Sequence, residues 1–419
     1  MRRVRQLTRL KAGAAGRGLM VPMSQEPASN WNGRPALHLS PTVAWLGSVS
    51  LLTAMSSAMV YGLLPVFLVT ALGASAAVVG TLEGAAEGMT SAMKVLSGAL
   101  SDRFGRRKPL LIVGYTLSAF NKLLFPLAGA VPVIAFARIV DRFGKGVRDA
   151  PRDAFLTDIT PSAIRGSGFG LRLSFYTTGY VLGPLTAIAL MRLTGDDFQL
   201  VFLVAAAPAF LALALLIFAV HEPPPAKATA VRRWPIRMSE LRRFPVAFWG
   251  WIGIAGLLTL ARFSQAFLVL KAHAIGVDAA YVPIMMVLTH TVYAASAYPF
   301  GALADRLNRR VQLGGGIAVL VVADVVLMNA ASFEAAALGA MLWGLQLAVT
   351  QGLLAASVAD AAPPELRGTA FGVYEFSTGI ATFAASVAAG LLWVAGGAPL
   401  TFAASAAVAA LAGLALLRR

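Results

Sequence analysis

Cysteine is absent from the 419 residues, and the four histidines are widely scattered. The chain therefore holds no disulfide, thiolate zinc site, iron–sulfur cluster or thiol nucleophile, and no His-rich metal centre. A G-x-x-x-x-G-K-[ST] phosphate loop is also missing, which argues against drive by ATP. So is any pair of carboxylates with a histidine in a soluble setting, leaving hydrolysis without a basis. The chain reads as a non-enzyme that needs no cofactor. Charge is scarce as well, at 13% of residues against about 25% in a soluble domain.

Apolar side chain is abundant, at 58%. At about 20 apolar residues per membrane span, the length accommodates twelve spans with their loops. The net charge of +16 taken alone would suggest nucleic acid. Its placement excludes that, because the basic residues fall in short segments between long apolar runs, the positive-inside pattern of a polytopic membrane protein. Residues 1–40, with Arg2, Arg3, Arg5, Arg9, Lys11 and Arg17, read as a disordered basic cytoplasmic tail, and Met20 and Met23 compete with Met1 as the translation start.

Spans are expected at 42–70, 76–99, 109–129, 131–153, 167–192 and 199–220, then at 246–271, 279–303, 311–330, 334–358, 370–394 and 399–417. Arg103, Arg106, Arg107 and Lys108 follow span 2, five arginines follow span 6, and Arg306, Arg309 and Arg310 follow span 8, while the alternate loops are nearly uncharged. Both termini are therefore expected in the cytoplasm, in a multi-pass protein of the inner membrane. Residues 221–245, with Pro223, Pro224 and Pro225, read as a cytoplasmic linker between bundles at 41–220 and 246–419.

The halves repeat. Gly98-Ala-Leu-Ser-Asp102-Arg103 recurs as Gly301-Ala-Leu-Ala-Asp305-Arg306, an offset of 301 − 98 = 203. Asp158-x-x-Pro161-x-x-x-Arg165-Gly166-x-x-Phe169-Gly170 recurs from Asp360, an offset of 360 − 158 = 202. Two unrelated patterns at nearly one spacing indicate duplicated six-span halves, with a binding site between them.

The stretch Gly98 to Lys108 resembles the loop 2–3 signature of the major facilitator superfamily, and Gly301 to Arg310 resembles its weaker copy in loop 8–9. The resemblance covers residues 42–419. It implies an all-α membrane fold of twelve transmembrane helices in two pseudo-symmetric six-helix bundles. It also implies secondary transport by alternating access, and a cytoplasmic charge lock formed by Asp102, Arg103 and Arg106 and by Asp305, Arg306 and Arg310. Gly98 would let a neighbouring helix approach closely. Gly105 suits a tight turn at positive φ, and its counterpart Asn308 (105 + 203) is the next most tolerant residue there.

A narrower resemblance lies in Asp141-Arg142-Phe-Gly144-Lys145-Gly146-Val-Arg148-Asp-Ala150-Pro151-Arg152-Asp153-Ala154. It is similar to a bacterial subgroup of mostly unassigned permeases, some linked to siderophore or drug transport. That subgroup carries acids in spans 1 and 7 where this chain has Ala54, Ala58 and Gln265. In span 5, Gly170-x8-Gly179-x3-Gly183-Pro184 resembles the signature of drug–proton antiporters, with Ala187 and Ile188 in place of its terminal glycines. Gly314–Gly316 reads as close helix packing.

Span 4 cannot end before its charges, because Pro109 to Ala137 is too short for two spans. A central charge costs roughly 2.5–3.5 kcal/mol and a good apolar residue returns only about 0.3–0.6. Arg138, Asp141, Arg142, Lys145, Arg148 and Asp149 must therefore pair or line water. At about 100° per residue, Arg138, Arg142, Lys145, Asp149 and Arg152 form one stripe, with Asp141 and Arg148 to its side. Adding 202 maps the six charges onto Ala340, Trp343, Gly344, Leu347, Thr350 and Gln351, so the fold does not require them. Two roles fit: a wall that binds an anion or relays protons, or a structural ion-pair ladder. Span 2 carries Glu83, Glu87 and Lys94 on one face, expected to meet the stripe.

Glu87, then Glu83, Asp141 and Asp149, are candidate proton carriers. Arg138, Arg142, Lys145, Arg148, Tyr61, Arg262, Gln265, His290, Gln346 and Gln351 are candidate substrate contacts. Glu375 is expected to meet Arg103 or Arg106 as part of the lock. The function expected is proton-coupled movement of a small organic solute, anionic or amphiphilic, with export favoured over import and a monomer in the bilayer. Uptake of an anionic chelate or siderophore, or a transport-dead sensor or assembly partner, are the alternatives.

Overall fold

The computed structural model describes residues 40–104, 106–161, 164–222, 241–304, 307–363 and 366–418, with the side chains of 102–104, 302 and 304 excepted. Helix accounts for the regular structure among them. In chain order these are α1 Pro41–Thr70, α2 Ala76–Phe104, α3 Lys108–Asn121, α4 Val131–Ile159 and α5 Arg165–Thr194. The sixth span, α6, is Phe198–Phe218. The second half comprises α7 Val246–Leu260, α8 Ala266–Ala274, α9 Ile284–Ala304, α10 Arg309–Asn329, α11 Phe333–Ala361 and α12 Arg367–Leu417. This is an all-α membrane architecture of two six-span bundles. Among the described residues six helices are long and apolar enough to cross a membrane: α1, α5, α6, α10, α11 and α12.

The elements match the expected spans within six residues at either end, α4 running farthest past its expected end, with three departures. Helix α12 holds spans 11 and 12, which meet at Gly396 and Gly397; Gly397 has φ +69°, a conformation costly for any residue with a Cβ. Span 3 tightens into a 3-10 turn at Lys122–Leu124. Span 7 is broken, with α7 and α8 separated by the non-helical stretch 261–265. That stretch has neither Gly nor Pro. Its freed backbone groups find side chains of α12 instead: the Ser264 N–H donates to Ser386 Oγ at 3.2 Å, and Ser405 Oγ donates to the Ala261 carbonyl. Non-helical backbone at membrane depth survives only with such partners.

Small residues bring the charged helices together. A Cβ on Gly144 would lie 3.0 Å from the Gly114 carbonyl of α3, and one on Gly146 would lie 2.7 Å from the Thr90 carbonyl of α2. Helix α4 is thus wedged between α2 and α3 on alternate glycines. Gly179 and Gly183 of α5 are pressed on Ala54 and Ala58 of α1, where an added Cβ would lie 2.8 and 2.9 Å from theirs. Ala54 and Ala58 therefore serve packing. Of the glycine run in α10, Gly316 is the one pressed on a neighbour, Val349 and Thr350 of α11.

The halves touch mainly at the end where α1 stops and α2 starts. Gly80 and Gly84 of α2 lie on the backbone of α12 at Ser386, Gly390 and Phe383, and a Cβ on Gly62 of α1 would lie 2.9 Å from Pro283. Arg192 reaches Asp278 at 3.4 Å at the same end. Farther along α2, Lys94 pairs with Glu375 of α12 at 2.6 Å.

Candidate functional site

A cavity of about 550 Å³ lies between the halves. Helices α2 and α4 contribute Glu83, Glu87, Arg138, Arg142 and Lys145 to its lining. Tyr61 of α1 and Tyr176 and Tyr180 of α5 join them from the same half, and across it stand Arg262 to Gln265 of the span 7 break, with His290, Tyr293, Trp343, Gln351, Tyr374 and Glu375.

The acids of α2 meet the stripe of α4 as their spacing implies. Arg138 and Glu83 form a two-fold contact, Nε to Oε1 at 2.9 Å and Nη2 to Oε2 at 2.6 Å. Arg142 Nη2 reaches Glu87 Oε1 at 2.9 Å. Both guanidinium groups lie over the Tyr61 ring, at 3.7 and 4.4 Å from its centroid. A carboxylate on one side and an aromatic face on the other offset part of the desolvation cost of each cation. The pairs differ in their access to water. The Glu83 side chain is 8% exposed and that of Glu87 is 32% exposed.

Four of the expected site residues stand elsewhere. Asp141 turns away from the cavity and is held by Lys122 Nζ at 3.1 Å and by the Tyr61 hydroxyl. Arg148 donates to Ser118 Oγ and lies 4.7 Å over the Tyr115 ring. Asp149 pairs with Arg152 at 3.0 Å. Gln346 is buried within α11, its side chain near Thr350. The rotation of α4 explains the first two, since both lie beside the stripe and face α3. Gln265, His290 and Gln351 do line the cavity; His290 stacks on Tyr180 with ring centroids 4.6 Å apart and its Nδ1 lies 2.9 Å from the Met286 carbonyl.

The lock is described in part. Asp102, Arg103, Asp305 and Arg306 lie outside the described side chains. A Cβ on Gly98 would lie 3.4 Å from Ala150 of α4, an ordinary contact, and one on Gly301 would point into open space, so close approach requires glycine at neither copy. Asn308 does not take a positive φ. At φ −62° it caps α10, its Oδ1 accepting from the Arg310 N–H at 2.9 Å. Arg107 pairs with Asp158 at 3.4 Å, and Arg309 pairs with Asp360. Each half thus ties the start of its third span to the end of its fourth. Glu375 meets Lys94 at 2.6 Å; Arg103, one of its expected partners, lies outside the described side chains.

Three buried charges were not expected from the sequence, Lys271 of α8 among them. Lys122 is 1% exposed and Asp324 is fully buried. For these two the repeat held the clue, because 122 + 202 = 324 sets a base of one half opposite an acid of the other.

The chain matches the family model described as Major Facilitator Superfamily over residues 46–270 and 257–419. It is 31% identical over 364 residues to an uncharacterized MFS-type transporter of Methanocaldococcus jannaschii, covering 85% of this chain and 89% of that one. A crystal structure of a mutant nucleoside transporter NupG superposes with TM-score 0.78 at 13% identity, over 90% of this chain and 99% of that one. A bacterial homolog of the human lysosomal transporter Spinster, inward-facing and occupied, superposes with TM-score 0.74 at 15% identity, over 91% and 97%.

Proposed function

The chain belongs to the major facilitator superfamily, and from that premise we propose that it is a proton-coupled secondary transporter of small organic anions with an aromatic or otherwise flat portion. One observation carries the reading. Each carboxylate lining the cavity has a cation: Glu83 has Arg138, Glu87 has Arg142 and Glu375 has Lys94. Two lining cations, Lys145 of α4 and Arg262 of the span 7 break, make no ion pair within 4 Å among the described residues. They come from different halves. An anion placed between them would neutralise both and bridge the bundles, and the surrounding tyrosines would take its flat face. Alternating access in this superfamily is rocking of the halves about such a site.

Glu87 is the proton carrier in this reading and Glu83 the static partner. Glu87 is the more exposed and has a single contact to Arg142, so protonation releases Arg142 to the substrate. Asp141 and Asp149, engaged by Lys122 and Arg152 outside the cavity, position α4. The span 5 glycine pattern favours export. With both termini in the cytoplasm of a bacterial cell, the contacts at Gly62, Gly80 and Arg192 close the outer end, which makes this an inward-facing state. The working unit is a monomer.

The test is a thermal-shift series on purified protein, using aromatic carboxylates and their neutral amides. Carboxylates stabilise the native chain and amides do not; Lys145→Gln and Arg262→Gln each remove the effect. Equal stabilisation by the amides, or by carboxylates on either variant, overturns the anion reading. Flux of a stabilising carboxylate into proteoliposomes, faster with a proton gradient and lacking that response in Glu87→Gln, separates a carrier from a sensor that binds without moving its ligand.

A further inference from the structure

Asp324 sits in the last third of α10, five residues before its end, with no solvent exposure. Its Oδ1 accepts from Trp343 Nε1 of α11 at 3.0 Å, and its Oδ2 lies 2.5 Å from Ser405 Oγ of α12. Ser405 Oγ also contacts the carbonyl of Ala261, the first residue of the break in span 7. A hydroxyl has one proton, and a carbonyl only accepts. If Ser405 donates to Ala261, its contact with Asp324 needs a proton on the carboxyl. If it donates to a bare carboxylate, the Ala261 carbonyl loses its donor. The charge on Asp324 and the satisfaction of the break are therefore linked.

The repeat supplies a control. Subtracting 202 takes Asp324 to Lys122 and Trp343 to Asp141. In the first half those residues form a buried ion pair at 3.1 Å. The second half has an acid in place of the base and an indole in place of the carboxylate, so the compensating charge is gone. Among the described residues no cation lies within ion-pairing distance of Asp324. Trp343 faces it from α11, Ser405 from α12 and, through Ser405, the Ala261 carbonyl from span 7. Arg262, the adjacent charge, turns to the Leu258 carbonyl at 3.3 Å and Thr350 Oγ1 at 3.2 Å. A buried carboxyl with no opposite charge takes up a proton rather than remain ionised.

We propose that Asp324 is a proton-binding site of the second half and that its proton, through Ser405, holds span 7 broken. Protonated, Asp324 donates to Ser405 and Ser405 donates to Ala261, and the break is capped as observed. On loss of the proton to water, the Ser405 hydroxyl turns to the carboxylate. The Ala261 carbonyl is then left to the N–H four residues on, that of Gln265, which is the bond of an unbroken helix. Rewinding would move Arg262 and Gln265, both of which line the cavity, and Trp343 forms part of the wall in front of Asp324. The site deepens the transporter reading and rests on it for its use in transport, but not for its chemistry.

The experiment uses the full chain in detergent with no ligand. Infrared difference spectra between neutral and alkaline pH are recorded for the native protein, Asp324→Asn and Ser405→Ala. Hydrogen exchange over 261–265 is followed in parallel, corrected for the intrinsic pH dependence of exchange. The native protein is expected to show the carbonyl stretch of a protonated carboxyl at neutral pH, lost on alkalinisation. Exchange at Gln265 slows about fivefold across the same titration, the worth of one hydrogen bond gained. Asp324→Asn, whose amide donates as the protonated acid does, lacks the band and the exchange response. Ser405→Ala retains the band and loses the response, which guards against a misfolded Asn variant. A band unchanged in Asp324→Asn, or the native exchange response persisting in Ser405→Ala, overturns the proposal. Failure of the organic-anion reading leaves both readouts untouched.

Discussion

The pair between Glu83 and Arg138 permits a quantitative test of how dry the interface between α2 and α4 is. Arg138 is 1% exposed and makes two charge-assisted hydrogen bonds to Glu83 while lying over Tyr61. Glu83→Gln keeps the shape, retains one acceptor and leaves the guanidinium without its counter-charge. Removing one partner of a buried pair costs about 3–5 kcal/mol, because the remaining charge stays desolvated. Replacing both, as Glu83→Leu with Arg138→Met, removes the stranded charge and should recover most of that loss, since apolar replacements of similar volume are often neutral. Glu87→Gln removes a single contact from a carboxylate that is 32% exposed beside an Arg142 that lines the cavity, and should cost less than Glu83→Gln. Equilibrium unfolding of the purified protein, read as loss of helix, gives the three values. A double variant as unstable as Glu83→Gln, or Glu83→Gln no worse than Glu87→Gln, would refute the picture of a water-free pair behind the cavity wall.

Two further outcomes follow from the packing and the surface. Gly146→Ala places a methyl 2.5 Å from Met93 Cβ and 2.7 Å from the Thr90 carbonyl, where overpacking costs about 1–3 kcal/mol; the same change at Gly166, with open space around it, should leave the melting temperature nearly unchanged. Asp158→Asn and Asp360→Asn break pairs whose carboxylates are about half exposed, so each should cost less than about 1 kcal/mol, and high salt should abolish the difference.

The twelve spans and the duplication were legible in the chain, with boundaries mostly within about six residues, because burial in lipid is set by composition along a segment. The salt bridges between α2 and α4 were legible for a related reason. Charges four and seven residues apart must share a helix face, and a charge at membrane depth must find a partner. The break in span 7 left no such trace. Leu260-Ala-Arg-Phe-Ser-Gln265 contains no helix breaker, and the local preference is to continue.

What opened that helix was Ser386 and Ser405, more than 120 residues away in the chain, which offer the freed backbone groups partners that lipid does not. The same holds for Asp324, which looks in sequence like a stray polar residue in an apolar run. Composition and periodicity determined which segments enter the membrane and which faces carry charge. Only the tertiary structure decided which charges have partners, because pairing depends on the few ångströms between helices and not on the order of residues along any one of them.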